Sequence, residues 1–245
     1  MMSPTDLTKY APDVVELSRV LVIGDVHQSS DSIEHAFDIA DEHDCQAIFQ
    51  AGDFGYVYHT PSGERFLRTL SYAEVPVFFV RGNHDDTSYL KGFNDGKLYG
   101  PDPIEIQENL YWLPDGSAMT INDRTWRFFG GSFSIDRTNR KLNVSYWADE
   151  LSTPAYILDA AGLLGPCEVV MAHDHPGELN EIPWLKPMID STLERRNMHD
   201  VMRACRPPLW IHGHYHFPLE LRREDTYVVG LNCNGDKGWA RVLSV

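Results

Sequence analysis

Five short apolar runs along the chain each break off at a cluster of polar residues. They are VLVIGDVH (20–27), AIFQAGD (47–53), VPVFFVRGNHDD (75–86), EVVMAHDHP (168–176) and PLWIHGHYH (208–216). Short runs rich in β-branched and aromatic residues predict buried strands. Between them the period lengthens. Ile33, Ala36, Phe37 and Ala40 follow helical spacing, with Asp31 and Glu34 at capping-box distance in front. Thr60-Pro61 opens a second predicted helix carrying Phe66, Leu67 and Leu70, and Thr153-Pro154 opens a third with Ile157, Leu158 and Ala161. Met198, Val201, Met202 and Cys205 make a fourth apolar stripe. Strands alternating with helices argue for an α/β protein whose strands pair partly in parallel.

The middle and the end of the chain read differently. IEIQENLYWLP, SAMTI, TWRFFGGSFSI, PLELRR, TYVVGLNC and WARVLSV have strand composition with Gly, Asp and Asn turns between them. These predict antiparallel hairpins, and therefore a mixed sheet or two stacked sheets. No linker is long or polar enough to mark a second domain. Residues 1–17 are read as an N-terminal arm and 18–245 as a single domain.

Composition narrows the function. The 245 residues carry 21 Lys and Arg against 36 Asp and Glu, a net charge of −15. That balance opposes strong non-specific nucleic-acid binding, and no basic run resembles a track for a phosphate backbone. No apolar run approaches a membrane span. The N-terminal sequence has no secretory pattern, and Cys45, Cys167, Cys205 and Cys233 stand far apart without a C-x-x-C pair. Reduced thiols and a cytoplasmic location are expected.

The polar clusters hold the chemistry. In open α/β sheets, ligands bind beyond the carboxyl ends of the strands. There the five runs deliver Asp25, His27, Asp53, Asn83, His84, Asp85, His173, His214 and His216. Imidazole nitrogens with carboxylate and carboxamide oxygens, and no thiolate, suit divalent ions of intermediate hardness. The spacing of two in Asp25/His27 and in His214/His216 sends both side chains one way if the backbone stays extended. Each motif alone is weak, but their ordered conjunction behind successive strands is specific.

That ordered set, DVH, GD, GNHD, AHDHP and GHYH, resembles the calcineurin-like metallophosphoesterase family. GDFGYV, GGSFSIDR, YWADE, LWIHGHYH and VVGLNCNG extend the resemblance over about residues 18–243, toward a subgroup of actinobacteria and their phages. The resemblance implies an αββα sandwich, two mixed β-sheets face to face with helices outside. It implies two divalent metal ions, Mn first, with Fe, Zn, Co or Ni as alternatives. Asp25, His27, Asp53 and His216 would hold one. Asp53, Asn83, His173 and His214 would hold the other, with Asp53 bridging. A hydroxide between the metals would attack phosphorus, His84 would protonate the leaving oxygen, and Asp85 would orient His84. The implied activity is a phosphodiesterase on small diesters, with cyclic nucleotides, 2′,3′-cyclic ones foremost, as expected substrates. A nuclease or a protein phosphatase on the same fold, and a non-catalytic scaffold, are the competing readings. Oligomeric state is left open.

Several residues outside this set also draw attention. His212 is read as packing at a strand end, and His35, His43, His59, His175 and His199 as packing or solvent-facing residues. Arg81 is read as structural, and Gly130 and Gly131 as a tight backbone pass. Tyr56 and Tyr58, just after Asp53, are candidates for a wall on which a substrate ring stacks. Arg137 is a candidate substrate contact.

Overall fold

Along residues 19–23, RVLVI, alternate side chains enter different apolar layers. Val20 and Val22 join the layer between two β-sheets, and Leu21 and Ile23 join the layer under the helices. A strand covered on both faces has no polar face, which is why its sequence reads as one apolar run.

The computed structural model describes residues 5–10, 18–55, 58, 60–177 and 189–245. Its elements run β1 (Thr5–Asp6), β2 (Arg19–Ile23), α1 (Ser30–Glu42), β3 (Ile48–Gln50), α2 (Pro61–Leu70), β4 (Val77–Val80), α3 (Thr87–Lys91), β5 (Ile104–Gln107) and β6 (Leu110–Leu113). They continue with β7 (Ala118–Ile121), β8 (Arg124–Phe129), α4 (Ala155–Ala160), β9 (Val169–Ala172), α5 (Ile189–Cys205), β10 (Leu209–His212), β11 (Leu219–Arg223), β12 (Thr226–Gly230) and β13 (Ala240–Ser244). One sheet has the order β13-β2-β3-β4-β6-β5, the other β1-β7-β8-β9-β10-β12-β11. Both are mixed: β2, β3 and β4 are parallel neighbours, as are β8, β9 and β10, while β13, β5, β7 and β11 run antiparallel to β2, β6, β8 and β12. This is the expected αββα sandwich.

Three apolar layers hold it together. Between the sheets, Phe49 stacks on Phe78 and Phe128 at centroid distances of 4.9 and 5.9 Å, with Met119, Trp126, Met171 and Ile211 around them. Ile33, Ala36, Phe66 and Leu70 of α1 and α2 cover one sheet. Leu158 of α4 and Met198, Val201, Met202 and Cys205 of α5 cover the other. The stripe read at 198–205 is thus core.

Three local details differ from the sequence reading. The cap of α1 is Ser29, whose hydroxyl accepts from the Ser32 N–H at 3.2 Å, because Asp31 already lies inside the helix. Helix α3 has no counterpart in the sequence pattern, since five residues are too few to show a period. Its signal is Asp86, which accepts from the N–H groups of Ser88 and Tyr89. Within the segment read as an arm, residues 5–10 are held against the sandwich. There β1 pairs with β7, Leu7 is fully buried, and Tyr10 packs edge-on against Phe78 and Tyr111. Among the described residues, no helix is long and apolar enough to cross a membrane.

Candidate metal centre

The five predicted strands end at one rim of the sandwich. Asp25 and His27 follow β2, Asp53 follows β3, and Asn83, His84 and Asp85 follow β4 in one sheet. His173 follows β9, and His214 and His216 follow β10, in the other. The parallel registers align these ends. Leu21 pairs with Ile48 and Ile48 with Val77, while Leu209 pairs with Val169. The backbone does not stay extended beyond them, however. His27, Asp53, His214 and His216 have φ of 49°, 54°, 73° and 54°. The expected alternation in DVH and HYH is therefore replaced by left-handed turns, each costing about 1–3 kcal/mol. These turns aim the side chains at the rim.

Two groups of donor atoms result, and they share Asp53. Atoms of Asp25, His27, Asp53 and His216 lie within 4.8 Å of one another, as do atoms of Asp53, His173 and His214. The Nε2 atoms of His27 and His216 are 2.9 Å apart, and His216 Nε2 is 3.0 Å from Asp25 Oδ2. His173 Nε2 is 3.5 Å from Asp53 Oδ1 and 3.1 Å from Asn83 Oδ1. All seven expected ligands thus meet at one place.

Their surroundings fix which atom each presents. His173 Nδ1 lies 2.7 Å from the Ala51 carbonyl, which can only accept, so Nδ1 carries the proton and Nε2 faces the site. Asn83 donates its amide Nδ2 to Ser134 Oγ at 2.9 Å, leaving Oδ1 for the site. Asp25 Oδ1 accepts the His214 N–H, and Asp53 Oδ1 accepts the His84 N–H, at 2.9 and 2.8 Å. Backbone this close leaves no room for a Cβ. One added at Gly82 would lie 2.0 Å from Asp53 Oδ1, and one at Gly213 would lie 2.2 Å from Asp25 Oδ1. The glycines of GNHD and GHYH are therefore part of the site's geometry.

The electrostatics are divided. Burial alone would push the Asp53 carboxyl up, but His84, His173 and His27 around it hold it well below the usual carboxylate range. Burial pushes His214 down to about 4, toward the neutral ring that a metal requires. His173 is pushed up, burial being outweighed by the Asp53 and Asp25 charges, and the bond to Asp25 pushes His216 up. Two buried carboxylates, an oriented carboxamide oxygen and four imidazoles, with no thiolate, fit a pair of divalent cations bridged by Asp53. The centre is a dinuclear divalent metal site.

The remaining predicted residues fall differently. His84 Nε2 lies 3.7 Å from Asp53 Oδ2, at the edge of the centre. Asp85 does not bond the His84 ring. Its carboxylate accepts from the N–H groups of Gly82, Gly55 and Phe54 at 2.6, 2.8 and 3.2 Å and from the Tyr58 hydroxyl at 2.8 Å. Any orientation of His84 by Asp85 therefore passes through the loop backbone. Tyr58 is 2% exposed and stacks on Tyr89, so no substrate ring reaches it, and the stacking wall expected there is absent at this residue. Tyr56 lies outside the described residues. Arg137 covers the Phe133 ring at 4.6 Å. The arginine that meets His84 is instead Arg140, with Nη2 at 2.8 Å from His84 Nε2 and Nη1 against Nδ1. Nothing in its exposed local sequence marked it. His212 is buried as expected, its ring 5.1 Å from that of His175, also buried. Arg81 is structural. It donates to Asp115 at 2.8 Å and to the carbonyls of Glu150 and Leu151, with Gly130 and Gly131 pressed against it.

The pattern of the calcineurin-like phosphoesterases matches residues 18–218. The chain belongs to that family. It is accordingly a metal-dependent phosphoric ester hydrolase. No curated protein sequence matches it. Among solved structures it is similar to the protein TT1561 of Thermus thermophilus, at 13% identity and a TM-score of 0.58 over 90% of this chain and 91% of that one. A dimetal phosphatase from Danio rerio is similar at 16% identity and a TM-score of 0.52, over 89% and 88% of the two chains. Phosphopantetheinyl hydrolase (PptH) from Mycobacterium tuberculosis follows at 12% and 0.50, over 93% and 96%. At these identities the likeness is one of fold.

Proposed function

We propose that this family member is a phosphodiesterase acting on small diesters, with cyclic nucleotides as the leading substrate class and 2′,3′-cyclic ones first. The observation that carries the reading is the shared Asp53 between two donor groups, with His84 at their edge. Bound divalent ions supply two things: they neutralise phosphate charge and make water a nucleophile near neutral pH. The protein's own groups do the rest. Asn83, turned by Ser134, and His173, turned by the Ala51 carbonyl, present fixed donor atoms. His84 faces the substrate phosphate and gives a proton to the leaving oxygen. Asp85 ties the loop after β3 to the loop after β4, so Asp53 and His84 keep their spacing.

Charge supports a small substrate over a polynucleotide. A chain at −15 offers weak long-range attraction to a polyanion. The resemblance to the actinobacterial and phage subgroup supports cyclic diesters. Donors limited to nitrogen and oxygen support Mn, with Fe, Zn, Co or Ni as alternatives. Four free cysteines, three of them buried, support a reducing, cytoplasmic setting.

The test is a panel on metal-defined enzyme: 2′,3′-cyclic and 3′,5′-cyclic nucleotides, monoesters, and single- and double-stranded polynucleotides. The expected order of kcat/KM places cyclic diesters first, with a shallow salt dependence. A polynucleotide preference with a steep salt slope would overturn the reading in favour of a nuclease.

A further inference from the structure

Arg140 stands in the loop between β8 and α4, directly after a single 3-10 turn (Arg137–Asn139). Its guanidinium is held by its own loop. Nε donates to Asp136 Oδ1 at 2.7 Å and Nη1 donates to the Ser145 carbonyl at 3.1 Å. The side chain is 17% exposed, neither sealed in nor loose in solvent. The remaining edge of the fork faces both nitrogens of His84 at once.

Two nitrogen groups thus stand side by side at one place. A guanidinium donates from all its nitrogens, and an imidazole in any protonation state carries at least one N–H. A planar guanidinium fork beside an imidazole suits a phosphate oxygen. His84 Nε2 in turn lies 3.7 Å from Asp53 Oδ2, so this place borders the metal centre.

We propose that Arg140 is a substrate-binding residue that grips a non-bridging oxygen of the scissile phosphate together with His84. Asp136 and the Ser145 carbonyl hold the fork in place. The inference rests on the phosphodiesterase reading for the identity of the ester, but its test does not depend on turnover.

The test compares wild type, Arg140→Gln and Arg140→Lys, all metal-loaded, by calorimetric titration with inorganic phosphate, alongside elemental analysis and steady-state kinetics on a cyclic diester. Arg140→Gln is expected to keep the wild-type metal content and to bind phosphate about 10- to 100-fold more weakly, the range of lost charge-assisted bonds. Arg140→Lys keeps the charge without the fork and should fall between. Phosphate affinity within twofold of wild type in Arg140→Gln would overturn the proposal, and so would wild type that binds no phosphate. Wild type that binds phosphate but turns over no ester would count against the phosphodiesterase reading alone, and the affinity ratio would still decide the role of Arg140.

Discussion

The rim that carries the metal ligands and the 134–146 loop that carries Arg140 meet at His84, and they are built in opposite ways. Every candidate ligand on the rim stands within a few residues of a buried strand end, and three of the seven are backed by a backbone group: Asp25 by the His214 N–H, Asp53 by the His84 N–H and His173 by the Ala51 carbonyl. The loop is mostly exposed. Ile135, Leu142 and Val144 face solvent, and its internal contacts are short-range, such as Asp136 with Arg140. The difference teaches that two kinds of precision coexist in one site. The ligands are positioned by the sandwich as a whole. The arginine is positioned by its own few neighbours, and side-chain contacts such as Ser134 with Asn83 and Arg140 with His84 join it to the rim. The rim should therefore be intolerant of change, and the loop should tune affinity.

The largest effect is expected at Asp53, where the two donor groups join. Asp53→Asn should abolish turnover and lower the metal content from about two ions per chain, as read by elemental analysis of the purified protein. Full metal content together with full activity would break the comparison at its strongest point.

The next effect lies where the loop's far end is tied down. Glu194 of α5 accepts from the Ser152 N–H at 3.1 Å and from the Ser152 hydroxyl. Burial, then the nearby Asp174 charge, push its pKa up to about 8, from an ordinary 4.5. Between those values the folded chain keeps a proton that the unfolded chain has released. Its contribution to stability therefore falls as pH rises from about 4.5 and levels off above about 8. Glu194→Gln should remove this slope. In denaturant titrations, the stability of the variant relative to wild type should rise on the order of a few kcal/mol from pH 5 to pH 9. A difference independent of pH would show that Glu194 folds in its charged form.

The smallest effect separates support from recognition. Tyr58→Phe removes one bond to the buried Asp85 carboxylate and should cost about 1–3 kcal/mol of stability, while KM for a nucleotide stays unchanged. A raised KM at unchanged stability would return Tyr58 to the substrate.

Much of this was legible in the sequence, for a stated reason. Strands buried on both faces must be apolar along their length, so the runs at 20–23, 47–51 and 77–80 announce themselves, and ligands placed just beyond them inherit that visibility. The glycines of GD, GNHD and GHYH belong to the same class, because close backbone approach excludes every side chain. Tyr58 was misjudged because an aromatic residue beside a ligand has the same sequence signature whether it faces substrate or Asp85. Arg140 was missed because an exposed polar loop carries no periodicity, and Arg137, three positions earlier, looked no different.

The sequence by itself determined the apolar strand pattern, the candidate ligand set and the family. Those depend on residue type and on order along the chain. Only the tertiary structure decided that four ligands turn through left-handed backbone, that Asp85 ties two loops together and leaves the His84 ring alone, and that Arg140 faces His84. The last two depend on groups that meet across 27 and 56 positions of chain, Asp85 with Tyr58 and Arg140 with His84, and the turned ligands meet across still more, His214 with Asp25 across 189. Such meetings are set by packing and hydrogen-bond satisfaction in three dimensions, which no local pattern encodes.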